Sequence, residues 1–316
     1  WQQSLGTAGT WTITQEADGP TASGIRTSAK VNCTTAQASP AAGTYFLYAQ
    51  ALEGQDVQRI LKGTASAQQL TLTFWVKSNV TGTYVVELSD VTNTRQVSAS
   101  YTVSASATWE QKTVTFSADT TGVIANDANA GLQLSFWLTA GSTYSSGTLA
   151  TTWHTSTTTN RATGQTNLAA ATSNYWQVTG VQLEVGTVST PFEFLSYGDE
   201  LRRCQRYFQK LGGITGARFG IGSAFSTTQI DVLVPLVCQM RAVPTACGDT
   251  GSASDYAIQG SNGSGITCTS VSYSSSASST TVINVTCVVA SGMTGGQGLP
   301  LYARTNNAYL LPSAEI

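Results

Sequence analysis

The chain has 316 residues, of which only 10% are charged, with 15 Lys and Arg against 17 Asp and Glu. An average soluble protein has roughly a quarter of its residues charged, so uncharged polar residues must cover most of this surface, as suits an extracellular β protein. The net charge of −2 comes without a basic stripe interleaved with aromatics, so no nucleic-acid partner is expected. The sequence contains no run of about 18 apolar residues, so no membrane-spanning helix is predicted.

Apolar residues at every second position are the dominant pattern of the first 195 residues, and they predict β-strands. Gly180 interrupts the last of these strands, as a bulge residue does. Many short strands with turn residues between them predict an antiparallel jelly-roll sandwich. The strands predicted are Leu70–Val76, Thr83–Leu88, Thr113–Phe116, Leu132–Leu138 and Trp176–Val185.

Residues 140–173 are rich in Ser, Thr, Gly and Asn, and they predict long loops with at most one strand. This region holds the single histidine, His154, which the surrounding polar residues predict to be a solvated loop side chain. Two aromatic residues of the region, Tyr144 and Trp153, offer flat faces beside many hydroxyl and amide groups. That combination is what a sugar-binding surface requires.

Two Phe-Trp dipeptides raise a separate question, because alternation puts Trp75 and Trp137 on the opposite face from Phe74 and Phe136. An indole buries on the order of 200 Å² when packed and is seldom left open to solvent. Three interpretations remain: loops of the same domain cover the indoles, a subunit interface covers them, or they form a sugar-stacking platform.

A short amphipathic helix is predicted over Asp199–Leu211, where apolar residues recur in one stripe. Acidic residues in its first turn favour the helix dipole, and Gly212-Gly213 ends it. A helix of this length is not stable alone, so the stripe must pack on a β domain or on a neighbouring subunit. The residues of the stripe are Leu201, Cys204, Phe208 and Leu211.

Strands return after the helix, which predicts a C-terminal small β-sandwich or β-barrel. Pro235 makes the first of these strands an edge strand or a bulged one. The predicted division is therefore 1–195, a junction of 196–212, and 213–316, with a separable boundary at Gly212-Gly213. The C-terminal strands predicted are Gln229–Val237, Gly265–Tyr273, Thr281–Val289 and Leu299–Arg304.

No catalytic constellation can be assembled from the sequence. One histidine cannot make a multi-histidine zinc site, and no nucleophile elbow or phosphate-binding loop is present. The six cysteines form no Cys-x-x-Cys pair with metal-ligand spacing. Four of them lie in the last third of the chain, where three disulfide pairings are possible, and small buried apolar residues are the favoured interpretation. Glu184 and Glu193 are interpreted as structural carboxylates. We predict no catalytic residue, no metal and no cofactor.

The segment Tyr175–Phe208 contains Trp-Gln-Val-Thr-Gly-Val-Gln-Leu-Glu-Val-Gly, then Thr-Pro-Phe-Glu, and then Glu-Leu-Arg-Arg-Cys-Gln-Arg-Tyr-Phe. This combination resembles bacteriophage virion proteins of the tail-fibre and minor-tail type, most densely from Phe74 to Phe208. The resemblance implies a jelly roll like that of carbohydrate-binding modules, followed by a variable C-terminal β domain. Because the chain begins at Trp1 rather than at a methionine, we expect further residues upstream that attach it to other virion proteins.

The function expected from this resemblance is a non-enzymatic tail fibre or receptor-binding appendage on the virion, which contacts glycans of the host surface. A head fibre or capsid decoration protein is the alternative, and a polysaccharide depolymerase is a third. A homotrimer is expected, with the helix stripe at the subunit interface. The candidate glycan contacts are Tyr144, Trp153, His154, Trp75 and Trp137, followed by Tyr256, Tyr273 and Tyr302 of the C-terminal region.

Overall fold

The computed structural model describes residues 1–315. The chain divides into two compact units, one formed by Trp1–Glu193 and the other by Phe194–Glu315. Each unit has its own cluster of buried apolar side chains. Within residues 1–315, no helix has the length and apolar character needed to cross a membrane.

The first unit is a sandwich of two antiparallel sheets, with strand orders β1-β4-β9-β6-β7-β10 and β2-β3-β11-β5-β8. A one-turn helix, α1 (Ser142–Ser145), follows β9. All five predicted strands are present, and the predicted jelly-roll sandwich is confirmed. The strands are β1 (Gln2–Gly6), β2 (Thr10–Glu16), β3 (Ser28–Thr35), β4 (Tyr45–Glu53), β5 (Leu70–Ser78), β6 (Gly82–Asp90), β7 (Arg95–Val103), β8 (Glu110–Phe116), β9 (Ala130–Ala140), β10 (His154–Thr155) and β11 (Tyr175–Val185).

The core between the two sheets is built from the alternating apolar positions. Phe74 of β5 and Phe136 of β9 are both fully buried, and their ring centroids lie 5.0 Å apart in an edge-to-face arrangement. Phe136 also packs on Trp176 of β11, at 5.1 Å. Burial of one such side chain contributes about 1.5–3 kcal/mol, so this cluster accounts for much of the stability of the sandwich.

The predicted bulge at Gly180 is confirmed. The register between β11 and β5 shifts between Thr179 and Gln182, and Gly180 has a φ of +57°. A side chain at this position would also meet Ile25, because a Cβ there would lie 2.7 Å from the Ile25 Cδ1 atom. Both the positive φ and the close approach of Ile25 therefore require glycine at this position.

The second unit begins with helix α2 (Tyr197–Gln205) and continues as a closed barrel of order β13-β14-β18-β17-β16-β19, beside a small sheet of order β12-β20-β15. Of the two predicted forms, sandwich or barrel, the barrel is the one found. The strands are β12 (Leu211–Gly212), β13 (Arg218–Ala224), β14 (Gln229–Pro235), β15 (Ala246–Gly248), β16 (Tyr256–Gln259), β17 (Gly265–Ser274), β18 (Val282–Val289), β19 (Gly298–Ala303) and β20 (Tyr309–Ser313).

The helix is shorter than predicted, and its stripe is divided. Helix α2 ends at Gln205, because the chain then turns to join β20: the Gln209 amide donates to the Pro312 carbonyl at 3.1 Å. Leu211 lies in β12, where it pairs with Leu310 and packs on the barrel core. The prediction of one helical stripe that includes Phe208 and Leu211 is therefore wrong.

Two smaller predictions also need correction. Pro235 does not mark an edge strand or a bulge, because β14 pairs with both β13 and β18 and Pro235 is its last residue. The cysteines are not uniformly buried: Cys204 is exposed, while Cys268 and Cys287 lie in the barrel core. A hydrogen bond with the Cys268 thiol, together with burial, raises the pKa of Cys287.

We predict that residues 1–193 fold on their own, because both sheets and their core lie within that range. Expression of this fragment should give a cooperative thermal transition and a β-type circular dichroism spectrum. The cut belongs at Glu193 rather than at Gly212-Gly213, since Gly212 pairs with Tyr309 inside the second unit. A fragment that shows no cooperative melting would contradict this boundary.

Candidate functional site

The outer face of the six-stranded sheet carries several polar side chains. Strand register places Leu47, Trp137 and Val85 in one row across β4, β9 and β6. The next row across β9, β6 and β7 contains Ser135, Glu87 and Ser98, and the row after it contains Gln133, Ser89, Gln96 and His154. Polar side chains thus occupy the middle of a sheet face.

Residues 141–163, named here the covering segment, lie over part of this face. The Ser98 amide donates to the Ala150 carbonyl at 2.6 Å, and the Ser98 hydroxyl donates to the Arg161 carbonyl at 3.0 Å. Tyr144 and Ala162 pack with Trp137 in a small apolar cluster. The segment is therefore fixed on the sheet by both hydrogen bonds and packing.

A buried ion pair lies beneath the covering segment. The Arg161 guanidinium donates through Nε and Nη2 to the two oxygens of Glu87, both at 2.9 Å, and the Trp137 indole N–H donates to Glu87 Oε2 at 2.9 Å. Glu87 and Trp137 are both 0% exposed. Burial opposes the charge of Arg161, but the Glu87 carboxylate outweighs it and the pKa of Arg161 is raised.

These contacts decide among the three interpretations of Trp137. Its own domain covers it, so it forms neither an open sugar-stacking platform nor a subunit interface. Trp75 is half-buried on β5, in the other sheet, with its ring near Gly180. The two tryptophans therefore do not form a joint surface.

A cavity of about 360 Å³ remains on the sheet face, at the edge of the covering segment. Tyr45, at the start of β4, and Tyr144, from α1, meet there with ring centroids 5.2 Å apart in an edge-to-face arrangement. Hydroxyl, amide and guanidinium groups complete the lining, and Trp137 lies at the base. The other lining residues are Ser4, Leu47, Ser89, Asp90, Val91, Thr94, Arg95, Gln133, Ser156 and Arg161.

A second buried charge network supports one wall of the cavity. Lys62 Nζ lies 2.5 Å from Asp90 Oδ2 and 3.0 Å from Asp119 Oδ2. Arg95 donates to both oxygens of Asp119, at 2.7 and 2.8 Å. These hydrogen bonds are the chief cause of the raised pKa of Arg95. Burial disfavours the Asp119 carboxylate, but the hydrogen bonds from Arg95 and Lys62 prevail and hold its pKa below the usual value.

Trp153 does not have its ring free for the predicted sugar contact, and His154 is half-buried in a short strand instead of in the predicted solvated loop. Trp153 packs against the main core, its indole N–H donates to the Ser117 carbonyl at 2.8 Å, and Lys62 Nζ lies 5.1 Å from its ring centre. His154 is in β10, with Nδ1 3.1 Å from the Thr152 carbonyl oxygen. A carbonyl only accepts, so Nδ1 carries the proton; Nε2 is buried, without a partner among residues 1–315.

Two of the three tyrosines predicted as contacts in the barrel, Tyr256 and Tyr273, have structural roles. Tyr256 is fully buried, with its hydroxyl donating to the Tyr309 carbonyl at 2.5 Å. The Tyr273 hydroxyl donates to the Pro244 carbonyl at 2.5 Å, while Tyr302 is half-buried near Gly265. Of all the predicted aromatic contacts, only Tyr144 and Trp137 line the cavity.

Glu184 has a structural role, as predicted, and Gln182 shares it. Gln182 Nε2 donates to the Thr190 hydroxyl at 3.1 Å, and its Oε1 accepts from the Glu193 amide at 2.9 Å. Glu184 accepts from the amide and the hydroxyl of Thr190. Both side chains thus hold the loop that follows β11.

Sequence reasoning missed Tyr45, Arg95 and Gln133. Tyr45 opens β4, whose apolar residues stand at successive positions because both faces of the strand are covered, so the period-2 signal is lost. A short continuous apolar run between turn residues is the signal that indicates such a strand.

No family model matches the chain, and no curated protein matches it. Similar solved structures include the enzymatically active domain of tailspike protein 4 of bacteriophage CBA120, with 13% identity and a TM-score of 0.33 over 58% of this chain; this chain spans 19% of that one. A family 11 carbohydrate-binding module from Clostridium thermocellum has 11% identity and a TM-score of 0.31, covering 60% of this chain and 91% of that chain.

The CBM22-1 xylan-binding domain from Paenibacillus barcinonensis has 9% identity and a TM-score of 0.30, covering 59% of this chain and 87% of that chain. Similarity at this level is too remote to carry an argument. The strand order of the sandwich and the geometry of the cavity must support any functional conclusion by themselves.

We predict that Asp119→Asn lowers the free energy of unfolding by about 3 kcal/mol near neutral pH, because it leaves Arg95 and Lys62 with less negative charge in a buried site. Since the pKa of Asp119 is lowered in the fold, its stabilisation is complete above the usual value of 3.8 and is lost as the pH falls below it. The difference between the two proteins in urea unfolding should therefore be constant above about pH 5 and shrink as the pH falls toward about 3.

Glu16→Gln is the matched control, because the exposed Glu16 lies 3.9 Å from Lys30. An exposed pair of this kind contributes about 0–1 kcal/mol, so the control should unfold like the unmodified chain. Equal stability of the Asp119→Asn variant and the control would contradict the role given to the buried network.

Proposed function

We propose that the protein is a glycan-binding virion component of a bacteriophage, and that the cavity on the outer sheet face holds the sugar. The observation that carries the proposal is the meeting of two tyrosine rings with hydroxyl, amide and guanidinium groups in one concave site. Concave sites with a few placed polar groups are where small ligands bind. Sugars present both apolar C–H faces and hydroxyls, which match these two kinds of group.

Binding rather than hydrolysis fits the carboxylates around the cavity. Glycosidases use two carboxyl groups across the scissile bond, one as acid and one as base or nucleophile. Asp90 lines the cavity, but Lys62 and Asn93 already occupy its oxygens, with bonds of 2.5 to 2.9 Å. Glu87 is fully buried against Arg161 and Trp137. We therefore propose a non-catalytic role.

The virion context rests on the resemblance carried by Tyr175–Phe208 and on the low charge of the chain. A tail fibre or receptor-binding appendage needs a stable, weakly charged β surface that presents a binding site to the host. The sandwich provides the site and the barrel provides a second β domain. The proposed localisation is therefore the exposed part of the particle.

We predict that Tyr45→Ala and Tyr144→Ala each weaken glycan binding by about 1–3 kcal/mol, by analogy with stacking of nucleobases on aromatic side chains. Binding of the labelled chain to an array of bacterial surface glycans measures this. Phe225→Ala is the control, since Phe225 is 68% exposed in the turn between β13 and β14 and belongs to the second unit, which contributes no residue to the cavity. Unchanged array binding by the double variant Tyr45→Ala, Tyr144→Ala would contradict the assignment.

Trp153→Ala distinguishes a structural tryptophan from a contact residue. Because Trp153 packs on the core and binds Ser117, its replacement should lower the free energy of unfolding, toward the roughly 3–5 kcal/mol range of buried Trp→Ala changes. Thermal melting should show a larger loss for this variant than for Tyr144→Ala, because Tyr144 is half-buried in a small cluster whereas Trp153 packs on the main core.

We also propose that the protein is a homotrimer that uses the exposed apolar residues of α2. The helix has no buried residue, and Tyr197, Leu201 and Cys204 lie along one side of it, spaced four and three residues apart. A nine-residue helix gains its stability from packing, so copies of the same helix around an axis would supply it. The three weak sugar sites of one trimer would also bind a glycan-covered surface more tightly than a single site does.

Light scattering should then return three times the chain mass of 33.0 kDa. Leu201→Glu should shift the protein toward monomer, because it places a charge among the apolar residues. Arg203→Glu introduces the same residue on the other side of α2 and should leave the mass unchanged. A stable monomer of the unmodified chain at micromolar concentration would contradict the trimer.

A further inference from the structure

We propose that the cavity selects a short, uncharged end of a glycan, one or two sugar units long, rather than a stretch along a polysaccharide chain. This inference rests on the proposed function and narrows it to a ligand class. Two independent features support it: the covering segment limits the length of the ligand, and the pairing of every charged group at the cavity limits its charge.

The covering segment closes part of the sheet face to a long ligand. On β6 and β7 the outward-facing Glu87, Gln96 and Ser98 are 0%, 0% and 1% exposed. Ser156 and Thr157 of the segment hold Gln96, through bonds of 2.6 and 3.3 Å. A polysaccharide chain lying across the strands would have to contact these positions, and they are closed to it.

On the β6–β7 side, the open part of the face is therefore limited to the cavity. Its walls come from three directions: Ser4 and Tyr45 on the β1–β4 side, Val91 at the β6–β7 turn, and Tyr144 and Arg161 from the covering segment. The volume of about 360 Å³ lies at the low end of the roughly 300–1,000 Å³ typical of small-molecule sites. This space suits a mono- or disaccharide unit.

Each charged side chain at the wall of the cavity already has a partner of opposite charge. Arg161 pairs with Glu87, Arg95 pairs with Asp119, and Asp90 pairs with Lys62. Three cations thus face three carboxylates, and the site carries no net charge. An anionic sugar would have to compete with a buried carboxylate for its guanidinium, and breaking such a buried pair is strongly unfavourable.

The same pairing leaves groups that suit neutral hydroxyls. Arg95 and Arg161 each use Nε and Nη2 for their carboxylate, so the Nη1 group of each is directed elsewhere. Ser89, Thr94 and Gln133 add hydroxyl and amide groups at the lining. Donors and acceptors without net charge are the complement of a neutral sugar.

Isothermal titration of the full chain with neutral gluco-, galacto-, manno- and xylo-oligosaccharides of increasing length tests the length argument. For the series that binds, affinity should rise from the monosaccharide to the disaccharide and then change by no more than about threefold up to the hexasaccharide. A gain of more than about tenfold between disaccharide and hexasaccharide would show a groove and overturn the inference.

Matched neutral and anionic sugars, lactose against sialyllactose and galactobiose against digalacturonate, test the charge argument. The unmodified chain should not prefer either anionic sugar, and a preference of about tenfold for one would overturn the inference. Asp119→Asn, which releases Arg95, should gain affinity for the anionic member of each pair; where this variant does not fold, the unmodified chain decides alone. Absence of binding to every sugar, neutral or anionic, would instead contradict the proposed function.

Discussion

The buried bonds among Glu87, Trp137 and Arg161 are the interaction on which the candidate site depends. Arg161 lies in the covering segment, whereas Glu87 and Trp137 lie on neighbouring strands of the sheet, so the pair joins loop to sheet. An isolated charge in this position would be costly, and each partner is tolerated only because the other is present. Without the pair, the covering segment would lose one of its attachments to the sheet and the cavity would lose part of one wall.

The Lys62, Asp90, Asp119 and Arg95 network does the same on the other side of the cavity. It connects the loop that follows β8 to β6 and β7, and it places Asp90 and Arg95 at the cavity wall. Charged residues are few in this chain, and several of them are used inside the sandwich rather than on its surface. Because some of the few charged residues form buried pairs, fewer remain for the surface.

The fold class was predictable from the sequence because the central strands alternate strictly: Leu72, Phe74 and Val76 are all fully buried, as their spacing indicates. Strands such as β4 were missed because both faces are covered and the alternation disappears. The helix end was misplaced because Gln209 leaves the helix for a tertiary bond to β20, which local propensity does not encode.

The site was only partly predictable for a related reason. Tyr144 was found because aromatic and polar residues cluster in its segment, but Trp153 belongs to the same cluster and packs inward instead. Which side chain turns toward the core depends on partners far along the chain, such as Ser117 for Trp153 and Glu87 for Trp137. A local pattern cannot supply those partners.

The central claim is that sugar binds in the cavity of the sandwich. NMR titration of the full chain with the sugar that binds best tests it most directly, with side-chain signals assigned for Tyr45, Tyr144 and Gln133. The account predicts that these signals and the Trp137 indole N–H shift together as the sugar is added. Shifts confined to the second unit, for example at Tyr302 or Tyr309, with the cavity signals unchanged, would contradict it.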